Sequence, residues 1–154
     1  MKEKGPRGFA LVTRVKGNED YQLPKRMTAH SVAYDFFSPI DAVIPPGGTV
    51  KIESGVKIWF EKDEAFFFYA RSGWGSKHGI ILRNNVAVFD ADYYDNPGNE
   101  GEAIITLINT SNEEFTIKKG DRYCQGLFQK VLFAGEAFDS IDERKGGLGS
   151  TGNR

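Results

Sequence analysis

Cysteine is almost absent from this sequence: Cys124 is the only one in 154 residues. The chain cannot close a disulfide on itself, and a reducing, cytoplasmic setting is the expected one. Neighbouring Tyr123 and Leu127 mark the thiol as buried and structural rather than reactive. Histidine is nearly as scarce. His30 and His78 lack metal-ligand spacing, and one thiol cannot build a zinc cluster. An excess of charge of one sign is missing too. The formal net charge is −1, which leaves no global basic field, so stable nucleic-acid binding is not expected. No apolar run approaches the roughly 20 residues that cross a bilayer, and no membrane association is expected. The opening stretch MKEKGPRGFALVTRV is charged and breaks before any apolar segment, unlike a signal peptide. Nothing repeats internally, and no long segment carries a 3.6-residue apolar period.

What is present is a β pattern on a length that fits one domain. Phe9 to Val15 alternates apolar and polar residues, as a half-buried strand does. Thr49 to Phe60 holds two short strands, TVKIES and VKIWF, around Gly55. The run AFFFYA, Ala65 to Ala70, suits a strand buried on both faces. Val86 to Phe89, Glu102 to Asn109 and Tyr123 to Phe133 read as further strands. Turn signals separate them at Pro45-Pro46-Gly47-Gly48, Asn96-Pro97-Gly98 and Lys119-Gly120-Asp121. A short helix is expected after Ser72. Many short strands at this spacing indicate an all-β sandwich, jelly roll or barrel. Residues 1–140 read as that β domain. Residues 141–154 read as an arm, because RKGGLGSTGNR is too glycine-rich and apolar-poor to build a core and should be mobile without a ligand.

Five short stretches could carry chemistry, and each has a plainer reading beside it. In the arm, glycines allow N–H groups to converge on an anion, Ser150 and Thr151 add donors, and Arg144 can grip a phosphate bidentately. The plain reading is a loose terminus. Arg71-Ser72-Gly73 could present a guanidinium, a hydroxyl and bare N–H groups to a phosphate, or simply start a helix capped by Ser72. Asp90 and Asp92 share a face if the preceding strand continues, as a base and its partner would, or they are turn and capping acids. Asp35, inside an apolar stretch, requires either an arginine partner or a role toward the water shell of Mg²⁺. Gln125 lies on the strand after the Gly120-Asp121 turn and is either functional or merely exposed.

Taken in order, SVAYDFFSP, ARSGWGSKHGI, NNVAVFDADYY, GDRYCQGLF and RKGGLGSTG resemble the five motifs of the homotrimeric dUTPase family, from about Ala29 to Gly152. The resemblance implies a jelly-roll-like β-clip fold, a homotrimer with shared active sites, and an arm that closes over the site of a neighbouring subunit. The implied activity is hydrolysis of dUTP to dUMP and pyrophosphate, which keeps uracil out of DNA and supplies dUMP for thymidylate synthesis. Carried over by position, Asp90 activates the water that attacks the α-phosphorus. Tyr93 stacks beneath deoxyribose and excludes a 2′-hydroxyl. Asn84, the main chain around Val88 and the side chain of Ile104 form the uracil slot. Arg71, Ser72, Gly73 and Gln125 hold phosphates, while Arg144, Gly149, Ser150 and Thr151 clamp the γ-phosphate end. Asp35 meets Mg²⁺ through water, the ion being held mainly by the triphosphate.

Three departures from the family pattern stand out. Ala33 replaces a glycine before Tyr34-Asp35. Leu148 replaces the arm aromatic, so it covers uracil without ring stacking. Extra residues, YDNPGNE, lengthen a hairpin loop beside the pocket. Two rival readings remain at this point. A dCTP deaminase shares the fold but lacks the DADY signature. A regulatory, protein-binding dUTPase of phage type would use the Tyr94 to Glu100 loop for its partner.

Overall fold

The computed structural model describes residues 5–140 and 142–148. Its strands are β1 Gly8–Leu11, β2 Tyr34–Phe37, β3 Ala42–Ile44, β4 Thr49–Trp59, β5 Glu64–Tyr69, β6 Ile80–Leu82, β7 Ala87–Phe89, β8 Glu102–Asn109, β9 Phe115–Ile117 and β10 Arg122–Lys130. One short helix, α1 Ser72–His78, follows β5, where the sequence places it. One sheet runs β1-β4-β8-β6, a second runs β2-β10-β5-β7, and β3 pairs with β9 as a ribbon. This is the all-β, jelly-roll-like arrangement expected. Among the described residues, no helix is long and apolar enough to cross a membrane.

The core lies between the two four-stranded sheets. Alternation on β8 buries Ala103, Ile105 and Leu107, and β4 adds Ile52, Val56 and Ile58. The facing sheet contributes a column of rings. Phe128 and Phe66 stand 4.8 Å apart, Phe66 and Phe68 5.0 Å, and Phe68 and Phe89 4.9 Å. Edge-to-face pairs of this kind add about 0.5–1.5 kcal/mol each beyond the area they bury. The column ends at Tyr93, whose ring lies 4.9 Å from that of Phe89. The aromatic core therefore runs directly into one of the expected site residues.

Two local features differ from the sequence expectation. Thr49 to Trp59 is one strand of 11 residues rather than two. Gly55 bends it without ending it, at φ 71°, and the register with β8 shifts between Glu53 and Lys57. The buried Glu102 carboxylate fixes the bend by accepting a hydrogen bond from Gly55 N at 2.7 Å. The first strand, by contrast, stops at Leu11. Val12 N still donates to Gly55 O at 2.8 Å, after which Thr13–Val15 coils into a 3-10 turn. The Glu100 carboxylate holds that turn by accepting from Thr13 N.

Gly126 on β10 lies opposite Phe68 of β5, and the Phe66 ring crosses its face. A Cβ there would stand 2.2 Å from Phe66 Cε1 and 3.1 Å from Phe67 O. Gly126→Ala should therefore overpack the ring column and cost about 1–3 kcal/mol. The expected result is a lower urea midpoint at unchanged slope. An unchanged midpoint would mean that the ring swings aside freely.

Candidate active site

β7 is an edge strand, paired with β5 through Phe66↔Phe89, Phe67↔Val88 and Phe68↔Ala87. An edge strand leaves alternate N–H and C=O groups outside the ladder, free to read a ligand. Val88 is exposed, and the turn before it is tight. Asn85 takes φ 64°, Val86 N donates to Asn84 O at 2.8 Å, and Arg83 N donates to Thr106 O at 2.9 Å. That last bond ties the turn bearing Asn84 to β8 two residues past Ile104. Val88 lines the cleft beside Asp90, whereas Ile104 lies on β8 of the other sheet, with its core-facing neighbours Ala103 and Ile105 on either side.

The strand ends at Phe89, so Asp90 and Asp92 are not strand neighbours. Asp90 instead begins a 3-10 turn, Ala91–Tyr93, with extended backbone at φ −87°, ψ 153°. The two carboxylates still converge on one group. Arg144 of the arm donates from Nη2 to Asp90 at 2.5 Å and from Nε to Asp92 at 2.7 Å. Its guanidinium also stands 5.6 Å from the centroid of the Tyr93 ring. The Tyr93 hydroxyl donates to Glu102 O at 3.1 Å and accepts from Asn99 Nδ2 at 2.9 Å, which fixes the ring plane. Beside the acids, Phe67, Val88 and Phe133 line a cleft of about 670 Å³.

A second cluster forms where β2, β5 and β10 end together. Asp35 on β2 is buried and accepts from Arg122 at 2.9 Å, with Arg71 Nε 3.7 Å away on its other oxygen. Asp35 therefore has the arginine partner that a buried acid requires. Arg71 also donates to Arg122 O at 3.0 Å, and Gln125 donates to Ala70 O at 3.0 Å. The Ser72 expectation needs one correction. The cap position of α1 is Arg71, with extended backbone and no side-chain cap bond, and Ser72 is the first helical residue. Ser72 stays exposed next to Gly73, at whose Cα no heavy atom stands within 4 Å of a built Cβ. Cys124, between Arg122 and Gln125, is fully buried, and burial pushes its thiol pKa well above the usual range.

These two clusters sit at opposite ends of β5. Phe89 pairs with Phe66, so Asp90 stands level with Ala65, and Arg71 lies further along the same extended chain. At about 3.3 Å per strand residue the two ends are roughly 20 Å apart. Sequence reasoning left out Arg122 and Asn99 as site residues. Arg122 could have been found, because the buried Asp35 demanded a cation. Asn99 gives no sequence signal, because its role follows only from how its loop folds back on Tyr93. Leu148 is exposed at the end of the described arm. Gly149, Ser150 and Thr151 lie outside the described residues.

Comparison with known proteins places this geometry. The dUTPase family model matches residues 19–152. The deoxyuridine 5'-triphosphate nucleotidohydrolase of Lactococcus lactis subsp. lactis is 41% identical over 147 residues, covering 95% of this chain and 97% of that protein. The crystal structure of dUTPase from Streptococcus mutans superposes with a TM-score of 0.73 at 35% identity, covering 83% of this chain and 98% of that one. A structure of the dUTPase of Staphylococcus bacteriophage 80alpha, described as controlling transfer of virulence genes, superposes with a TM-score of 0.70 at 16% identity, covering 92% of this chain and 99% of that one, a likeness of fold alone. The shared architecture is the β-clip jelly roll of dUTPases.

Burial of Cys124 makes a direct prediction. An aromatic disulfide reagent at pH 8 should leave the native thiol untouched for hours and titrate one thiol per chain once the protein is unfolded. Rapid labelling of the native chain would contradict the assignment of Cys124 as structural.

Proposed function

This chain belongs to the dUTPase family and is a dUTP diphosphatase, and from that premise we propose how its residues divide the work. The observation that carries the proposal is the meeting of Asp90, Asp92 and the arm's Arg144 over the face of Tyr93. The Asp90 carboxylate takes a proton from a water molecule. The water oxygen bonds to the α-phosphorus, the bond from that phosphorus to the bridging oxygen breaks, and pyrophosphate leaves dUMP behind. A base within hydrogen-bond reach of the water is what this step needs. Tyr93, locked by Glu102 and Asn99, presents a flat face against deoxyribose where a 2′-hydroxyl has no room. The edge backbone around Val88, with Asn84 and Ile104, takes the uracil edge.

Phosphates fall to Arg71, Ser72, Gly73 and Gln125, and the γ-phosphate end to Arg144, Gly149, Ser150 and Thr151. Among the described residues, no group of three or more potential ligands gathers to hold a metal. A Mg²⁺ ion would be held by the triphosphate, with the Asp35 carboxylate reaching it through water. When bound, the ion would offset phosphate charge and make the α-phosphorus more electrophilic. In the cytoplasm this reaction would keep uracil out of DNA and supply dUMP for thymidylate synthesis.

The proposal includes a homotrimer with shared sites. A separation of roughly 20 Å along β5 keeps Asp90 and Arg71 of one chain from serving a single α-phosphorus. A second copy can bring its arginine cluster to the first copy's acid pair. The strap leading into the arm supports the same reading, because Leu132, Phe133 and Phe138 are exposed apolar side chains in the single chain. They suit burial against a neighbouring copy, where the arm would make on that copy's identical surface the contacts it makes within the single chain to Asp90 and Asp92. A regulatory protein partner, the second reading, would meet the loop at its exposed residues Asp95, Pro97 and Gly98.

Pyrophosphate release from dUTP, UTP, dTTP and dCTP in the presence of Mg²⁺ tests the chemistry. Only dUTP should react, and Asp90→Asn should lower kcat by roughly 10²–10⁴-fold. Ammonia from dCTP, or an active Asp90→Asn protein, would overturn the assignment. Site sharing has its own test. Asp90→Asn and Arg71→Ala chains should each be nearly inactive alone. Co-refolded together they should regain activity, because some sites then join a native Asp90 to a native Arg71. No gain over the separate proteins would show that each site is built from one chain.

A further inference from the structure

The loop between Tyr93 and Glu102 is held by a dense set of hydrogen bonds from its own asparagine side chains. The Asn96 side chain accepts from Gly98 N at 2.9 Å and Asn99 N at 3.1 Å, and donates to Tyr93 O and Asn99 Oδ1, both at 2.8 Å. Asn99 Oδ1 also accepts from Gly101 N at 3.1 Å. On the outside the loop is tied down by Glu100 to Thr13, with Lys57 bridging Asp95 and Glu100. Polar side chains satisfied on all sides have little rotamer freedom left to lose. The loop is therefore a fixed object before anything binds it.

Its inner surface is where the arm lies. A Cβ built on Gly98 would stand 3.1 Å from Gly147 N and 3.7 Å from Gly146 Cα. A Cβ built on Gly147 would stand 2.9 Å from Asn99 Oδ1. The two backbones touch because both lack side chains at the crossing. Asn99 bonds the Tyr93 hydroxyl on its other side, so one amide touches both the arm and the ring.

We infer that residues 94–101 form a docking cradle for the C-terminal arm, with Gly98 and Asn99 as positioning residues that seat Gly146 and Gly147. Seating those glycines sets where Arg144 and Leu148 stand relative to Asp90 and Tyr93. The cradle surface is the same whichever copy supplies the arm. This inference rests on the reading of the arm as a closing strap, and it explains how a strap without its usual aromatic is still aimed.

The test uses full-length protein, a chain ending at Ser140, and two variants that crowd the crossing from opposite sides. Gly98→Val acts from the loop. Gly147→Ala acts from the arm and leaves the β domain untouched. In the unliganded full-length protein, either substitution should speed tryptic cleavage after Arg144 and Lys145 by about fivefold or more. Either should also raise the Kd for α,β-imido-dUTP with Mg²⁺ by about fivefold, and Gly98→Val should leave the Kd of the shortened chain unchanged. Unchanged cleavage, or an equal rise in Kd without the arm, would overturn the cradle. If shortening the chain alone leaves Kd unchanged, the arm's role in binding falls, and cleavage still judges the cradle independently.

Discussion

The pairing of β5 with β7 on one side and β10 on the other decides where chemistry can occur. It is a hydrogen-bonded register, so it cannot slide by one residue without turning Phe66 and Phe68 out of the core. That register delivers Asp90 to one end of the strand and Arg71, Asp35 and Gln125 to the other. The same rigidity that packs the ring column thus keeps the two halves of the machinery apart within a chain. The proposed sharing of sites between copies rests on this separation and on the exposed apolar residues Leu132, Phe133 and Phe138.

A second constraint holds the acid end in shape. The buried Glu102 carboxylate bonds Gly55 N and receives Arg14 at 2.5 Å, which fixes the bend of β4 against the start of β8. Its carbonyl receives the Tyr93 hydroxyl. The arginine is partly exposed, so the ion pair itself adds little. The larger effect is avoidance, because an unbonded Gly55 N–H and an unpaired carboxylate in the core would each cost about 1–3 kcal/mol or more. Bend, loop and tyrosine therefore stand or fall together.

Much of this was legible in the sequence, for physical reasons that differ by residue. β8 announced itself because one face meets the core and the other does not, which writes alternation into Glu102 to Asn109. AFFFYA was legible as a strand from its aromatic run, but not as one open on a face: Phe66 and Phe68 are buried in the core, while Phe67 and Tyr69 on the other side are half-buried. The one-strand nature of Thr49 to Trp59 was not legible, because a glycine that ends a strand and one that bends it look identical until Glu102 arrives from 47 residues away. Short strands such as β3, β6 and β9 gave no signal, since three residues show no period. In the site, Asp90, Tyr93 and Arg71 came from ordered motifs. Asn99 acts through contacts made only after folding, and no local pattern encodes it, whereas Arg122 was signalled only indirectly, by the cation that a buried Asp35 requires.

The Arg144 contact with the acid pair bears on what the arm does before substrate arrives. Both carboxylates are exposed, with side chains 60% and 61% accessible, whereas the arginine is 12% accessible. Ion pairs with such open partners contribute no more than about 1 kcal/mol. A contact that weak cannot lock the site shut. It can hold the guanidinium near its destination at little cost to exchange. A triphosphate offers several charged oxygens, and charge-assisted bonds to them are stronger than those to solvated carboxylates. Arrival of a triphosphate should therefore draw Arg144 off Asp90 and leave the carboxylate free, as the role proposed for Asp90 requires. The glycine crossing at Gly98 and Gly147 need not move in this exchange, because a side-chain rotation carries the guanidinium while the backbone stays seated. Weak electrostatic holding and firm steric seating then have separate tasks, and the arm can be both pre-placed and ready to change partners.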